Sequence, residues 1–233
     1  MARIRKAVLF IVEGSSDKTA LEKIFRTIYR KDRNIEFRFT GGDITSDPDI
    51  TLTNVQDRIK KIIHGFLSDN KLKTSDIFQV IQIFDMDGAY IDDSFIIQDD
   101  VDQVTYSSES IKCKYRTFYI ERNQKKRELM NYLLSLDSIG QYSYEKYFMS
   151  SNLDHALYNE QNLDEKLKQA YADAFYERFL GKEDLFCDFL LTDAVNGVPD
   201  NMNLSWKYIK SDKHSLERHT NLHTYFLLHP VLP

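Results

Sequence analysis

Cysteine is scarce in this sequence: Cys113 and Cys187 are the only two among 233 residues, and they lie far apart. A pair at that spacing makes neither a disulfide framework nor a zinc knuckle, so both read as thiols of a reducing compartment. Membrane-length apolar runs are missing too. The run Ala7-Val-Leu-Phe-Ile-Val12 follows a basic start, Met1-Ala-Arg-Ile-Arg-Lys6, but it is too short for a signal segment and stops at Glu13. No stretch approaches the length that crosses a bilayer. The expectation is a soluble, cytoplasmic protein with no membrane partner. A basic excess is also absent. With 31 Lys and Arg against 36 Asp and Glu the net charge is -5, which argues against a generally basic nucleic-acid coat protein but leaves room for a local basic strip. No internal repeat and no low-complexity segment is present.

What is there suits a packed core. Hydrophobic residues make up 42% of the chain, with 15 Phe and 14 Tyr. The length fits one large domain, or one domain with a helical appendage. Ala7 to Val12 reads as a buried parallel strand, because it is apolar on both faces. Glu13-Gly14-Ser15-Ser16 is a tight turn, and Ser16 is a candidate cap for a helix from Asp17 to about Arg30. Ile35 to Phe39 alternates and predicts a second strand, ended by Gly41-Gly42. Asp43 to Thr51 reads as loop, and Asn54 to Leu67 as an amphipathic helix. Ile77 to Phe84 predicts a third strand, running directly into Asp85-Met86-Asp87-Gly88.

This βαβαβ order predicts an α/β fold with a small parallel, Rossmann-like sheet flanked by helices and joined by right-handed crossovers. Ligand sites of such sheets form outside the carboxyl ends of the strands. Beyond Ala89 the pattern is less regular. An acidic stretch to Gln103 gives way to a basic one, Glu121 to Leu136 looks helical, and Tyr142 to Met149 is a candidate fourth strand. Ser150-Ser151-Asn152 then breaks the chain before a helix that starts at Leu153. Helices are expected over Leu163–Leu180 and Glu183–Leu191, followed by a tail containing Trp206, a short helix and an apolar run Tyr225-Phe-Leu-Leu228. The expected division is an α/β domain over 1–150, with an insertion at about 89–120, and a helical C-terminal region over 151–233 packed on it.

The chemistry gathers at two strand ends. Glu13 follows the first strand directly, and Asp85 and Asp87 follow the third. Aspartates two positions apart just past a strand can turn toward one cation. Hard ions such as Mg²⁺ take one or two carboxylates together with substrate phosphate, while a third carboxylate binds a second metal or acts as general base. Without a cation, three buried carboxylates would repel and their pKa values would rise. Each half alone is also ordinary turn or helix-start chemistry. Both halves together, in this order, favour a divalent-metal site.

At these residues the sequence resembles the Toprim domain of topoisomerases, primases and OLD-family nucleases. The resemblance rests on Phe10-Ile-Val-Glu13-Gly-Ser-Ser-Asp17-Lys and Ile83-Phe-Asp85-Met-Asp87-Gly, and it covers about residues 6 to 150. It implies that Glu13 is the general base or a metal ligand, that Asp85 and Asp87 hold Mg²⁺ or Mn²⁺, and that Asp17 is an accessory ligand. Tyr147-Phe-Met-Ser-Ser-Asn152-Leu-Asp154-His155-Ala-Leu157 resembles the segment after the last Toprim strand in RloB-like, abortive-infection proteins. That likeness makes Asn152 and Asp154 accessory residues, although Asp154 also reads as a first-turn helix acid favoured by the dipole. No tyrosine-nucleophile module and no zinc module accompanies the motifs, which points away from topoisomerases and primases. The resemblance implies a Mg²⁺-dependent nuclease, with antiphage defence and a separate ATPase partner as family-level expectations.

A strip from Lys112 to Arg127 holds Lys112, Lys114, Arg116, Arg122, Lys125, Lys126 and Arg127 against Glu121 alone. It is the candidate phosphate contact, and Tyr115, Phe118 and Tyr119 interleave with it for base stacking. The competing reading is a solvated helix face. His219 and His223 have helical metal-ligand spacing but no third partner, and read as surface or packing residues. Two other functions remain open. One is a Toprim-like module that binds nucleic acid or a partner protein without turnover. The other is a haloacid-dehalogenase-type phosphatase, whose nucleophile motif Phe84-Asp-Met-Asp-Gly88 resembles; there Ala89 replaces the expected Thr, and the motif follows a βαβα unit when it should begin the fold.

Overall fold

The computed structural model describes residues 6–29, 35–41, 44–182, 184–192, 195 and 197–230. The expectations for Arg30, Gly42, Asp43 and Glu183 fall outside them. In chain order the elements are β1 (Lys6–Val12), α1 (Ser15–Ile28), β2 (Ile35–Gly41), α2 (Val55–Asp69), β3 (Ile77–Asp85), β4 (Ile96–Gln98), β5 (Thr105–Tyr106) and β6 (Ile111–Cys113). They continue with α3 (Arg116–Leu134), β7 (Ser138–Ile139), β8 (Tyr142–Met149), α4 (Leu153–Tyr158), α5 (Glu165–Phe179), α6 (Asp184–Leu190), α7 (Met202–Ile209) and α8 (His223–Leu228).

The main sheet has five strands in the order β2-β1-β3-β8-β7. β1 pairs in parallel with both β2 and β3, and β3 pairs in parallel with β8; only the short β7 runs antiparallel. The α/β reading with a C-terminal helical region therefore holds. Helices cover both faces of the sheet, which is why β1 is apolar and buried from Ala7 to Val12. Val8, Phe10 and Val12 join a cluster with residues of α1, α5, α6 and α8. Ala7, Leu9 and Ile11 join a second cluster with α2, α3 and α7. Phe10 stacks on Phe39 at 4.5 Å between ring centroids and meets Phe25 edge-on at 4.9 Å. The helices after residue 150 complete these two cores: Phe186, Leu222 and Tyr225 belong to the first, Val198, Trp206 and Ile209 to the second.

The segment at 89–120 contains a second sheet, of order β4-β6-β5, over a small core of Ile91, Ile96, Ile111, Cys113 and Leu216. Helix α3 starts at Arg116, five residues before the start read from the sequence. Gly14, and not Ser16, caps α1. The tail histidines pair separately, His219 Nε2 with Glu217 at 3.0 Å and His223 Nε2 with Asp200 at 3.2 Å, which fits the packing reading. Among the described residues no helix is long and apolar enough to cross a membrane.

One packing feature carries a pH signature. His155 on α4 is 8% exposed, and its Nδ1 is sealed in with no hydrogen-bond partner. Burial, and then Arg218 and His219, lower its pKa to about 4. A depressed folded value means that His155 contributes stability in full above the unfolded value of 6.5 and loses it as pH falls toward 4. Urea denaturation at pH 7 and at pH 4.5 is expected to show the wild type losing up to about 3 kcal/mol more than His155→Gln. Equal losses in both proteins would remove His155 as the cause.

Candidate functional site

The site is assembled where β1, β3 and β8 end side by side. β1 leads into Glu13 and then Gly14, whose N–H donates to Asp17 Oδ2 at 2.7 Å. Glycine suits this cap by close approach: a Cβ at position 14 would lie 3.3 Å from that carboxylate oxygen. Asp17 thus points back from the first turn of α1 toward Glu13.

β3 ends on Asp85, and the chain then turns sharply. Asp87 and Gly88 both take left-handed backbone angles, φ 47° and 63°. Asp tolerates this conformation better than most residues. At position 88 a side chain would meet Leu216 at 2.6 Å and Ile111 at 2.9 Å. The turn is pinned to the end of β8 by the bonds Met86 N–H to Met149 C=O at 3.0 Å and Asp87 N–H to Ser151 C=O at 2.5 Å. Just beyond, Asn152 caps α4 by accepting from His155 N–H at 2.8 Å, and Leu153 N–H donates to Asp85 Oδ1 at 3.0 Å. These bonds tie Asp85, Asp87, Asn152 and Asp154 into one corner.

Helix α3 closes the corner with Lys126, whose side chain is fully buried. Its Nζ lies 2.5 Å from Asp87 Oδ2, 3.6 Å from Glu13 Oε1 and 3.2 Å from Ser46 Oγ. Thr45 Oγ1 donates to Glu13 Oε1 at 3.0 Å. Arg122 donates to Asp87 C=O at 2.8 Å and to Tyr106 Oη at 2.9 Å, and Asn123 Nδ2 donates to Gly88 C=O at 3.2 Å. Three successive contact residues of one helix thereby grip the Asp87–Gly88 turn.

The electrostatics separate the acids. Burial disfavours the Asp87 carboxylate, but Lys126 and Arg122 outweigh it and hold the group below its ordinary range. Burial likewise disfavours the Lys126 ammonium, and Asp87 and Glu13 outweigh it, so lysine stays charged. Asp85 makes no ion pair with Lys126, whose pull on it is outweighed. Burial, then Glu13, Asp17 and Asp87, push its carboxyl well above the usual value. Burial also raises Asp17 and brings Asp154 up to about 6, against the pull of Lys168 at 3.8 Å.

Five predicted acids, Glu13, Asp17, Asp85, Asp87 and Asp154, therefore share one neighbourhood. Among the described residues no group of three or more His, Cys, Asp or Glu side chains is arranged to hold a metal ion, and Lys126 already bridges two of these acids. The donor chemistry nonetheless fits a hard divalent cation, since carboxylate and hydroxyl oxygens line the corner and the repulsion at Asp85 is of the kind that such a charge relieves.

The basic strip is not one surface. Lys112 and Lys114 are exposed, with Lys112 3.3 Å from Asp99. Arg116 donates to Ile96 C=O and Asp93 C=O, Lys125 to Asp47 C=O and Pro48 C=O, and Arg127 to Ile91 C=O. These three hold loops, while Arg122 and Lys126 turn inward to the acids. Tyr115 and Phe118 are 68% and 60% exposed, and Arg122 covers the Tyr119 ring at 5.3 Å. Thr45, Ser46, Tyr106 and Lys168 are neighbours of the acids that sequence reading missed. None of them lies in a recognisable motif, although Arg122, Asn123 and Lys126 do share the three- and four-residue spacing of one helix face.

No protein-family model matches the chain, and no curated protein or solved structure matches it either. The Toprim resemblance therefore rests on the motif residues.

Proposed function

We propose that the protein is a divalent-metal-dependent nuclease acting on nucleic-acid phosphodiesters, with antiphage defence as the setting implied by the resemblance. The observation that carries this reading is the convergence of Glu13, Asp85 and Asp87 from two adjacent strand ends, with burial and three neighbouring acids outweighing Lys126 at Asp85. Asp85, Asp87 and Glu13 would hold Mg²⁺ or Mn²⁺, with Asp17 and Asp154 alongside. When bound, the ion supplies charge neutralisation at the phosphate and a more acidic water. Glu13 would accept a proton from the attacking water. Lys126, released from Asp87 or shared with it, stabilises negative charge developing on the phosphoryl oxygens, and Thr45 orients Glu13 through its hydroxyl.

The test is cleavage of plasmid DNA, single-stranded DNA and RNA by the full chain with Mg²⁺ or Mn²⁺. Cleavage is expected with metal, none with EDTA, and none from Glu13→Gln or Asp85→Asn. Activity that survives both substitutions overturns the reading.

A second reading, binding without turnover, is favoured by one specific observation. Lys126 already neutralises Glu13 and Asp87 at 3.6 Å and 2.5 Å, which is how a permanently metal-free corner would be stabilised. It predicts nucleic-acid or partner binding with no cleavage under any metal.

A further inference from the structure

A cavity of about 650 Å³ lies between the inserted sheet and the start of α5. That volume is within the range of small-ligand sites, about 300–1,000 Å³. Its wall includes Tyr106 from the insertion, Asn152 and Asp154 from the corner described above, Asn162, and Lys166 and Lys168 of α5. The lining thus combines an aromatic ring, amides, two ammonium groups and three acids, since Asp164 and Glu165 at the start of α5 also border it.

Three features make this a built site. Asp154 is only 5% exposed, and its Oδ1 is sealed from solvent with no hydrogen-bond partner. A buried acceptor left unpaired costs about 1–3 kcal/mol, and a ligand donor would satisfy it. Lys166 is exposed and, among the described residues, has no carboxylate within ion-pair distance, so its charge is free for an anion. The cavity also borders the acids directly. Lys168 acts on Asp17, Asp87 and Asp154 alike. Tyr106 is fixed by Arg122, the residue that holds the Asp87 turn, and Asn162 clamps the Tyr106 backbone from both sides at 2.7 and 2.8 Å.

We propose that this cavity takes the sugar and base of one unpaired nucleotide, the one whose phosphodiester reaches the carboxylates. The assignment rests on the phosphodiester reading and adds its substrate class. Lys166 meets a phosphate oxygen, while Lys168 stays paired with Glu165 at 2.9 Å; the Tyr106 ring faces the base or sugar, and Asp154 Oδ1 accepts from a sugar hydroxyl or a base amine. A base inside a duplex is stacked and paired and does not line a cavity of this size without leaving its stack. The substrate is therefore single-stranded, or frayed, at this position.

The experiment is calorimetric titration of the full chain in EDTA with each of the four ribonucleoside 5′-monophosphates and the four deoxy forms. At least one is expected to bind, with Lys166→Glu and Asp154→Asn each weakening it about tenfold or more, as expected for loss of a charge-assisted contact. Lys166 is on the surface, so its variant folds. Inorganic phosphate is expected to compete far more weakly than the nucleotide. A single-stranded oligonucleotide should displace the mononucleotide and the matching duplex should not. Absence of binding, binding indifferent to both substitutions, or equal competition by duplex overturns the assignment. Nucleotide binding with the expected pattern but no cleavage under any metal removes the nuclease reading and leaves the cavity; cleavage without nucleotide binding does the reverse.

Discussion

Asp85→Asn is expected to raise the stability of the protein while reducing cleavage by about a thousandfold, the scale of losing a group that stabilises transition-state charge. The two effects share one cause. Asp85 sits at the end of a buried strand, with burial, Glu13, Asp17 and Asp87 all working against its ionised form. A raised carboxyl value means that its favourable contribution is complete below the ordinary value of 3.8 and is lost as pH rises. Asparagine keeps the size and still offers an oxygen to Leu153 N–H, which donates to Asp85 Oδ1 at 3.0 Å, but it carries no charge. Gains from relieving such a strained site run to about 0.5–2 kcal/mol, or about 1–8 °C in melting temperature for a chain of this size. Thermal denaturation in EDTA at pH 8 measures it, and the gain should shrink at pH 5. A variant less stable than wild type at pH 8 would refute the electrostatic account; a stable, fully active one would refute the catalytic role.

The parts of this architecture that were legible are those written locally. β1 shows as an unbroken apolar run, β8 as Tyr142–Met149, and α4 as a break at Asn152 followed by Leu153, because each depends on neighbours in sequence. The meeting of Glu13 with Asp85 was also legible, since each follows the last apolar residue of a strand and parallel sheets put such ends on one edge. The inserted sheet was not. Its strands are two or three residues long, too short for any periodicity to register. The basic strip misled for a different reason. Sign and spacing group Arg116, Lys125, Lys126 and Arg127 together, but their partners at Ile96, Asp47, Asp87 and Ile91 are set by tertiary contacts. A lysine that is wholly buried reads in sequence like any other on a polar helix.

That buried lysine sets the second large effect. Lys126→Met is expected to destabilise the protein by about 3–5 kcal/mol, the cost of removing one partner from a buried ion pair. The methionine fills most of the volume, so the loss reports charge: Asp87 at 2.5 Å and Glu13 at 3.6 Å would face each other with no ammonium between them. An exposed pair such as Lys60–Asp57 at 3.1 Å is by contrast worth about 0–1 kcal/mol. Adding Asp87→Asn to Lys126→Met should recover much of the loss, and the coupling in a double-mutant cycle by urea denaturation measures the pair. Additive losses would mean that packing, and not charge, makes Lys126 important. Magnesium then separates the two functional readings. If the corner binds the ion in the native protein, Mg²⁺ raises the melting temperature of wild type, and the rise is lost in Asp85→Asn. If Lys126 permanently serves as the cation, wild type is indifferent to Mg²⁺, and only Lys126→Met gains stability from it.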